Sequence, residues 1–355
     1  MPQSKGVGGL FGWLRDKVPA GERASWAPIR IPPGHASGTG SDLPIRAFED
    51  YIGLRVNQLF LAAERRWFTE IEPAVFASVE FLYGGKDRTD AVVLGPQQDS
   101  ALPPGTVLRN QQVFGVHPFR GGRITWTVVL SQVPVRNIAR PILDLLQGAA
   151  GLAVPGMDLA AQANIGRLVL DGFERLAGLE GVKPLLGVRE SIDVDQNDPL
   201  LPGHVALLAG APPDPRRLWV RDSLLFEGET ADSARPLVGR DFVLLEFTRA
   251  PDGRRSDVER LPFHADFERA RESAGKPSDD SWAEAKALLA AAISHVHRSP
   301  DLTERQKREI NQSWTTLVKD ARDEALRMTD WSEAQEATDS LDIARMQDVR
   351  AILDL

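Results

Sequence analysis

The clearest alternation of hydrophobic and polar positions lies in residues 113–133, where two apolar runs flank Gly121 and Gly122. Apolar side chains occupy every second position after the glycines: Ile124, Trp126, Val128 and Leu130. A two-residue period indicates a strand with one buried face. Two adjacent glycines readily adopt the positive φ angles of a two-residue turn. The pattern therefore predicts a β-hairpin, with one strand before the glycines and one after them.

Alternation at residues 75–81, and further apolar runs rich in β-branched and aromatic residues, predict more strands on both sides of this hairpin. They lie at residues 75–81, 91–94, 188–194, 204–208, 218–226 and 242–247. Prolines between the later runs are typical of loops that join antiparallel strands. The middle of the chain therefore reads as a β-rich body.

Two stretches instead have the three- and four-residue spacing of amphipathic helices. The first is residues 44–68, and its apolar positions are Phe48, Ile52, Val56, Leu59, Phe60 and Ala63. This spacing predicts a helix that packs on the core. The second is residues 135–178, where Pro155 and Gly156 separate two apolar faces. It predicts a helical hairpin packed against the sheet.

Helical spacing and capping signals fill the chain after residue 276. Ser281, three residues before a Glu, fits a capping box at the start of one helix. Thr303, three residues before a Gln, fits the start of the next. Ser340 is predicted to begin a last helix. The apolar stripe of that helix consists of Ile343, Met346, Val349, Ile352 and Leu353.

Together these elements predict an α+β fold: a largely antiparallel β body with an inserted helical hairpin, followed by a C-terminal all-α module of about three helices. Strands before and after the helical pair, without regular βαβ alternation, argue against a doubly wound sheet. Three regions are expected. They are a flexible arm at residues 1–42, rich in Gly and Pro, an α+β body at 43–275 and a helical module at 276–355.

Composition places the chain among globular proteins and removes several kinds of chemistry. Of its 355 residues, 42% are hydrophobic and 26% are charged, as in ordinary soluble domains. The net charge of -8 argues against general nucleic-acid binding, which needs a basic surface. With no cysteine, disulfides, thiol catalysis and thiolate metal sites are excluded. No secretory or membrane-spanning run is recognised, so a cytoplasmic location is expected.

Two short motifs resemble metal sites but have the wrong spacing. Residues 193–197 begin like a calcium loop, D-x-D-x-N, but Asp198 and His204 stand where that loop needs Gly and Glu. His295 and His297 lie two residues apart in a predicted helix, so their rings point to different sides. We predict a polar turn at the first motif and a helix C-terminus at the second. No metal or cofactor is predicted.

A group of arginines follows the last predicted strand. It consists of Arg249, Arg254, Arg255 and Arg260, around the turn at residues 251–253. Acidic residues interleave with these cations, which is typical of a solvated loop. We therefore predict an exposed loop here rather than an anion site.

Function is inferred from two apolar segments, because no catalytic motif stands out. Bulky apolar residues on a flexible arm, and stripes on C-terminal helices, are features of docking surfaces. The predicted partner-binding residues are Leu10, Phe11, Trp13, Leu14, Trp314, Ile343, Met346 and Ile352. We therefore predict a non-enzymatic interaction component, an adaptor or a subunit of a larger, bacterial-type assembly, whose partner is another protein.

Two alternatives stay open. A hydrolase would use a His or carboxylate site, and His117, His204 and His264 are its first candidates, the last followed by Asp266 and Glu268. A membrane-acting effector, controlled by proteolysis or partner binding, would contact lipid through the arm and through the helical pair at 142–176.

Overall fold

The chain forms two compact units, residues 1–253 and residues 254–355. The computed structural model describes residues 28–37, 43–62, 71–83, 86–97, 104–134, 181–194, 199–250 and 263–353, with side chains up to Asp330, and short pieces at 145–146, 169, 171–173, 175–176, 179, 258–259 and 261. Antiparallel sheets build the first unit and helices build the second. The predicted α+β fold, with a β body and C-terminal helices, is therefore confirmed.

Twelve strands are described. They are β1 (Ile29–Arg30), β2 (Tyr51–Phe60), β3 (Ile71–Tyr83), β4 (Lys86–Leu94), β5 (Thr106–Pro118), β6 (Arg123–Pro134), β7 (Lys183–Asp193), β8 (Gly203–Leu208), β9 (Leu218–Arg221), β10 (Leu224–Glu227), β11 (Arg235–Pro236) and β12 (Phe242–Ala250). They form a five-stranded sheet in the order β1-β8-β12-β2-β5, a four-stranded sheet in the order β4-β3-β6-β7 and a three-stranded sheet in the order β11-β10-β9.

The five-stranded sheet is buried on both faces. One face packs against the four-stranded sheet, where Leu54 and Val243 meet Val79 and Trp126 in a common core. The opposite face packs against the three-stranded sheet. Its core residues include Ala206, Leu208, Phe242, Leu244, Leu218, Val220 and Leu225. The first unit therefore stacks three sheets around one central layer.

Helical residues cover the outer face of the four-stranded sheet. The ring of Phe173 stacks on Phe76 of β3, with centroids 4.4 Å apart. Leu146, Val169 and Leu176 are buried as well. These residues belong to the predicted helical hairpin, and most of the remaining hairpin lies outside the described residues. The Phe173 contact agrees with the prediction that this segment packs against the sheet.

The prediction of a helix over residues 44–68 was wrong, because Tyr51–Phe60 is a strand. A strand buried on both faces has apolar residues at consecutive positions, so the two-residue alternation is lost. A β-bulge adds to this effect. Val56 pairs with Leu245 and Gln58 pairs with Leu244, which leaves Asn57 as an extra residue. The resulting spacing resembles that of a helix.

The prediction of a hairpin around Gly121 and Gly122 was also wrong. Both glycines have positive φ, 79° and 77°, as expected of a tight turn. However, β5 pairs with β2 in the five-stranded sheet, whereas β6 pairs with β3 and β7 in the four-stranded sheet. The glycines therefore form a corner that carries the chain from one sheet to the other.

Three helices form the second unit: α1 (His264–Ala274), α2 (Asp279–Arg298) and α3 (Glu304–Leu353). The predicted cap at Thr303 is confirmed, because its Oγ1 accepts a hydrogen bond from the Gln306 N–H. The cap of α2 is Ser278, which accepts from the Ser281 N–H, rather than Ser281 itself. Ser340 begins no new helix, since α3 runs through it without a break.

The compact units divide the chain differently from the predicted regions. The division falls at residues 253 and 254 instead of 275 and 276, because α1 packs with α2 and α3. Within the predicted arm, β1 pairs with β8 at the edge of the five-stranded sheet. The part of the arm at residues 1–27 lies outside the described residues.

Candidate functional site

His117 of β5 lies in a buried cluster between the edges of two sheets. Its Nε2 is 3.0 Å from Asp90 Oδ2, and Arg88 Nε donates to Asp90 Oδ1 at 2.9 Å. Burial opposes ionisation of Asp90, but the hydrogen bond and charge of His117, with the charge of Arg88, hold its pKa below the ordinary value. Because Arg88 and Asp90 lie on β4, this cluster joins the edge strands of the four- and five-stranded sheets.

His204 of β8 lies in a second buried polar cluster. Its Nε2 is 3.0 Å from Nδ2 of Asn57, the bulge residue of β2. Glu246 of β12 is its cross-strand neighbour. Burial lowers the pKa of His204, and the negative charge of Glu246 acts in the opposite direction. The ring of His204 is therefore a buried imidazole whose neutral form is favoured and which contacts the amide of Asn57.

His264, the third candidate, begins α1, and its Nε2 is 3.8 Å from Glu268 Oε1. The flanking Phe263 and Phe267 are buried in the helical core. The three histidines thus lie in three different elements, and each has its own partner, which for His264 is in the same helix. Within the described ranges, no three or more His, Asp or Glu side chains group as metal ligands. His295 and His297 lie in the last turn of α2, as predicted.

Trp314 is a core residue of the helical unit. It is 5% exposed, and its ring stacks on Phe267 with centroids 4.4 Å apart and an interplanar angle of 10°. The ring of Phe263 lies edge-on to the Trp314 ring, with centroids 6.1 Å apart. We therefore assign Trp314, predicted from sequence as a partner contact, to packing among α1, α2 and α3.

Arg322 is the last buried residue among the side chains of α3 that the structure describes, which end at Asp330. Apart from Lys307, the buried positions of this part of the helix recur every four residues and form one stripe, which consists of Gln306, Ile310, Trp314, Val318 and Arg322. Arg322 donates from Nη1 to the carbonyl oxygens of Lys276 and Ser278, at 2.9 and 3.0 Å. These carbonyls lie just before the start of α2. The stripe therefore ends where α2 begins, so α2 and α3 run antiparallel and share one end.

The rest of α3 continues past this end of α2. The helix has 50 residues and is about 75 Å long, at 1.5 Å per residue; α2 has 20 residues and is about 30 Å long. Between 323 and 330 no residue is buried, and Met328 is 64% exposed and Leu326 40%. The predicted contacts Ile343, Met346 and Ile352 lie on this distal half of α3, which we define as residues 323–353.

A period of three runs through the distal half of α3, and the sequence prediction found only its last part. Apolar or small residues occupy positions 325, 328, 331, 334, 337, 343, 346, 349 and 352, and acidic residues occupy 330, 333, 336, 339 and 342. Positions three apart are neighbours on a helix, but each step of three falls about 60° short of a full turn, so the apolar stripe winds around the helix. A search for a period of three, in addition to 3.6, would have found this feature.

Charge is distributed unevenly along α3. Residues 323–353 contain eight Asp or Glu and three Lys or Arg, whereas residues 304–322 contain three Asp or Glu and five Lys or Arg. The acidic residues at 330, 333, 336, 339 and 342 are neighbours three apart on the helix and repel one another. The distal half therefore gains little stability from its own charges.

The remaining predicted contacts, Leu10, Phe11, Trp13 and Leu14, lie outside the described residues. Among the helices that the structure describes, none is both long and apolar enough to cross a membrane. No protein-family model matches the chain, and no curated protein matches it.

Proposed function

We propose that the protein is a non-enzymatic interaction component, an adaptor or a subunit of a larger assembly, and that it binds a partner protein through the distal half of α3. The observation that carries this proposal is that no residue from 323 to 330 is buried, while the helix continues to Leu353. An isolated helical extension gains little from propensity alone and is stabilised mainly by packing. A partner that covers apolar positions on the extension would supply that packing.

The sequence of the distal half supports recognition by a partner helix or groove. Apolar anchors at short helical intervals are the usual means by which a helix is held in a groove. The acidic positions beside them favour a partner with Lys or Arg around its apolar contact, since opposite charges steer association and select partners. Binding should therefore weaken as ionic strength rises.

The test compares the full chain with a chain that ends after Arg322. This truncation keeps the buried stripe of α3 and removes the distal half. Both chains are expressed in the native cells and purified by affinity, and co-purifying proteins are quantified by mass spectrometry. We expect a stoichiometric partner with the full chain, and at least a tenfold loss of it on truncation.

Point variants separate docking from folding. Ile343→Ser with Met346→Ser removes two predicted anchors, whereas Thr338→Ser with Gln347→Ser changes polar positions of the same helix and serves as the matched control. We expect only the first pair to lose the partner. A partner retained by the truncated chain, or a full chain that purifies without any stoichiometric partner, would contradict the proposal.

A further inference from the structure

Residues 28–37 cross the first unit and are attached at two separate places. At the first, Ile29 and Arg30 form β1 and pair with Ala206 and Val205 of β8, and the Ile31 N–H donates to the His204 carbonyl at 3.0 Å. We call residues 29–31 with these bonds the latch. Its strand is only two residues long and lies at the edge of the sheet. Such short edge pairings are among the first parts of a fold to open.

The second attachment lies at the three-stranded sheet. The Ser37 N–H donates to the Val220 carbonyl, and the Val220 N–H donates to the His35 carbonyl. The His35 ring stacks on Trp219 with centroids 3.7 Å apart. His35 Nδ1 is 3.0 Å from the Leu218 carbonyl oxygen, to which it can only donate. Protonation of His35 leaves that bond in place.

His204 joins the latch to the centre of the sheet. Its carbonyl receives the Ile31 bond, and its ring reaches over β12 to Asn57 on β2. The ring is 5% exposed and Asn57 is 1% exposed. With the amide nitrogen of Asn57 as donor, Nε2 must accept, so the imidazole is neutral. Nδ1 of His204 and Oδ1 of Asn57 have no hydrogen-bond partner among the described residues.

Few charges face His204 from the elements that pack around it. On β12, Glu246 is its cross-strand neighbour, and on β2, Arg55 is in turn the cross-strand neighbour of Glu246. Arg30, on β1, is paired with Val205 and is exposed. The half-buried carboxylate of Glu246 also lies next to the positive charge of Arg55. It therefore offsets little of the desolvation cost of a buried imidazolium at position 204. A proton on Nε2 would also displace the amide nitrogen of Asn57, whose carboxamide would have to turn so that Oδ1 accepts instead.

We propose that the latch is a pH-dependent switch, in which protonation of His204 releases residues 29–31 from β8 while residues 35–37 stay attached to the three-stranded sheet. Ile29 and Ile31 are buried in the same core as Ala206 and Leu208. Their departure brings water to the face of the sheet on which His204 lies. The pKa of His204 is therefore higher in the open form, where water reaches the ring, than in the closed form, where burial lowers it.

Release of the latch would leave residues 35–37 as the first described attachment of the chain to the unit, in place of residues 29–31. This consequence is independent of the interaction proposed for α3.

The test is amide hydrogen exchange of the full chain, measured by mass spectrometry between pH 7.5 and pH 5.0 and corrected for the intrinsic pH dependence of exchange. We expect the amides of Ile29 and Ile31, which point toward β8, to lose protection below about pH 6.5, by up to about tenfold per pH unit. Amides of β12 and of residues 35–37 should keep their protection. Parallel loss in β12 would indicate global unfolding and would overturn the proposal.

Two variants test whether His204 is the group whose protonation opens the latch. His204→Gln cannot be protonated, and its latch should show the same protection across the whole pH range. Glu246→Gln removes the carboxylate that favours the imidazolium in the closed form, so the pKa of His204 in that form should fall further. The loss of protection should then begin at the same pH but continue to lower pH and become larger. An unchanged pH dependence in either variant would overturn the assignment to His204, and the second variant serves if the first does not fold.

Discussion

At the scale of the residue, Asp50 shows how one buried charge is held by a distant partner. Its carboxylate is fully buried, and Arg249 donates to both oxygens, from Nε at 2.8 Å and from Nη2 at 3.1 Å. The Arg46 N–H donates to the same carboxylate at 2.8 Å. The sequence predicted an exposed loop position for Arg249, and that prediction was wrong. Asp50 is 199 residues away in the chain, so no local pattern could link the two.

The Asp50–Arg249 pair leads to a prediction about stability. Burial opposes ionisation of Asp50, but the hydrogen bonds and charges of Arg249 and Arg46 outweigh it and keep its pKa below the ordinary value. Asp50→Asn removes the buried carboxylate that pairs with Arg249. We expect the free energy of unfolding at pH 7 to fall by about 3–5 kcal/mol, measured by urea denaturation. Asp232→Asn, at an exposed position, is the control and should change it by less than about 0.5 kcal/mol.

The same pair predicts a pH dependence. Because the pKa of Asp50 is lower in the folded protein, its contribution is present above the unfolded-state pKa of about 3.9 and is lost as pH falls toward the folded-state value. Between pH 5 and pH 3 the wild type should therefore lose stability more steeply than Asp50→Asn. Equal slopes would show that the pair contributes nothing to acid unfolding.

At the scale of the element, the turn between β9 and β10 contains backbone strain that lowers the stability of the fold. Arg221 pairs with Leu224, so the loop is the two residues Asp222 and Ser223, both with positive φ, 50° and 64°. Two-residue hairpins of this kind favour Asn or Asp followed by Gly. Asp222 suits its position, and its carbonyl accepts from Arg109 Nη2 at 2.6 Å. Ser223 is the position at which the sequence departs from the preferred turn.

Ser223→Gly should therefore stabilise the protein. A residue other than Gly in the left-handed region costs roughly 1–2 kcal/mol, and the greater freedom of Gly in the unfolded chain offsets part of the gain. We expect a net gain of about 0.5–1 kcal/mol in the urea-unfolding free energy. Ser223→Ala keeps the strain and should give no gain; equal effects of Gly and Ala would refute this explanation.

At the scale of the whole molecule, the two units have separate hydrophobic cores. The cores between the sheets are drawn from residues 29–247, and the helical core is drawn from residues 258–321. Trp314 is central to the second core, where its ring stacks on Phe267. Among the described residues, each core consists only of residues from its own unit, so each unit is expected to unfold with its own cooperativity.

Trp314→Ala tests this separation. Truncation of a buried aromatic side chain costs about 3–5 kcal/mol, and here the cost should fall on the helical unit alone. In differential scanning calorimetry of the full chain, we expect one transition to move to lower temperature and the other to stay in place. Leu317→Ala, at a 40% exposed position of the same helix, is the control and should have a small effect. A single transition that shifts as a whole would contradict independent cores.

Features that depend on neighbours along the chain were determined by the sequence itself. The alternation in β6, the strands near residues 75–81 and 242–247, and the Thr303 cap of α3 follow from local periodicity and hydrogen bonding. Absence of cysteine excludes thiol chemistry in the same direct way. The positive φ of Gly121 and Gly122 was also predictable, because glycine readily adopts it.

Only the tertiary structure decided which strands pair and which polar groups meet. β5 and β6 belong to different sheets although a tight turn joins them, because each finds its neighbour at a distance in the chain. β2 is a strand because two sheets cover its faces, and this double burial removes the alternation by which strands are recognised. His204 meets Asn57, and Asp50 meets Arg249, for the same reason: these contacts depend on the arrangement of the sheets, which local patterns do not encode.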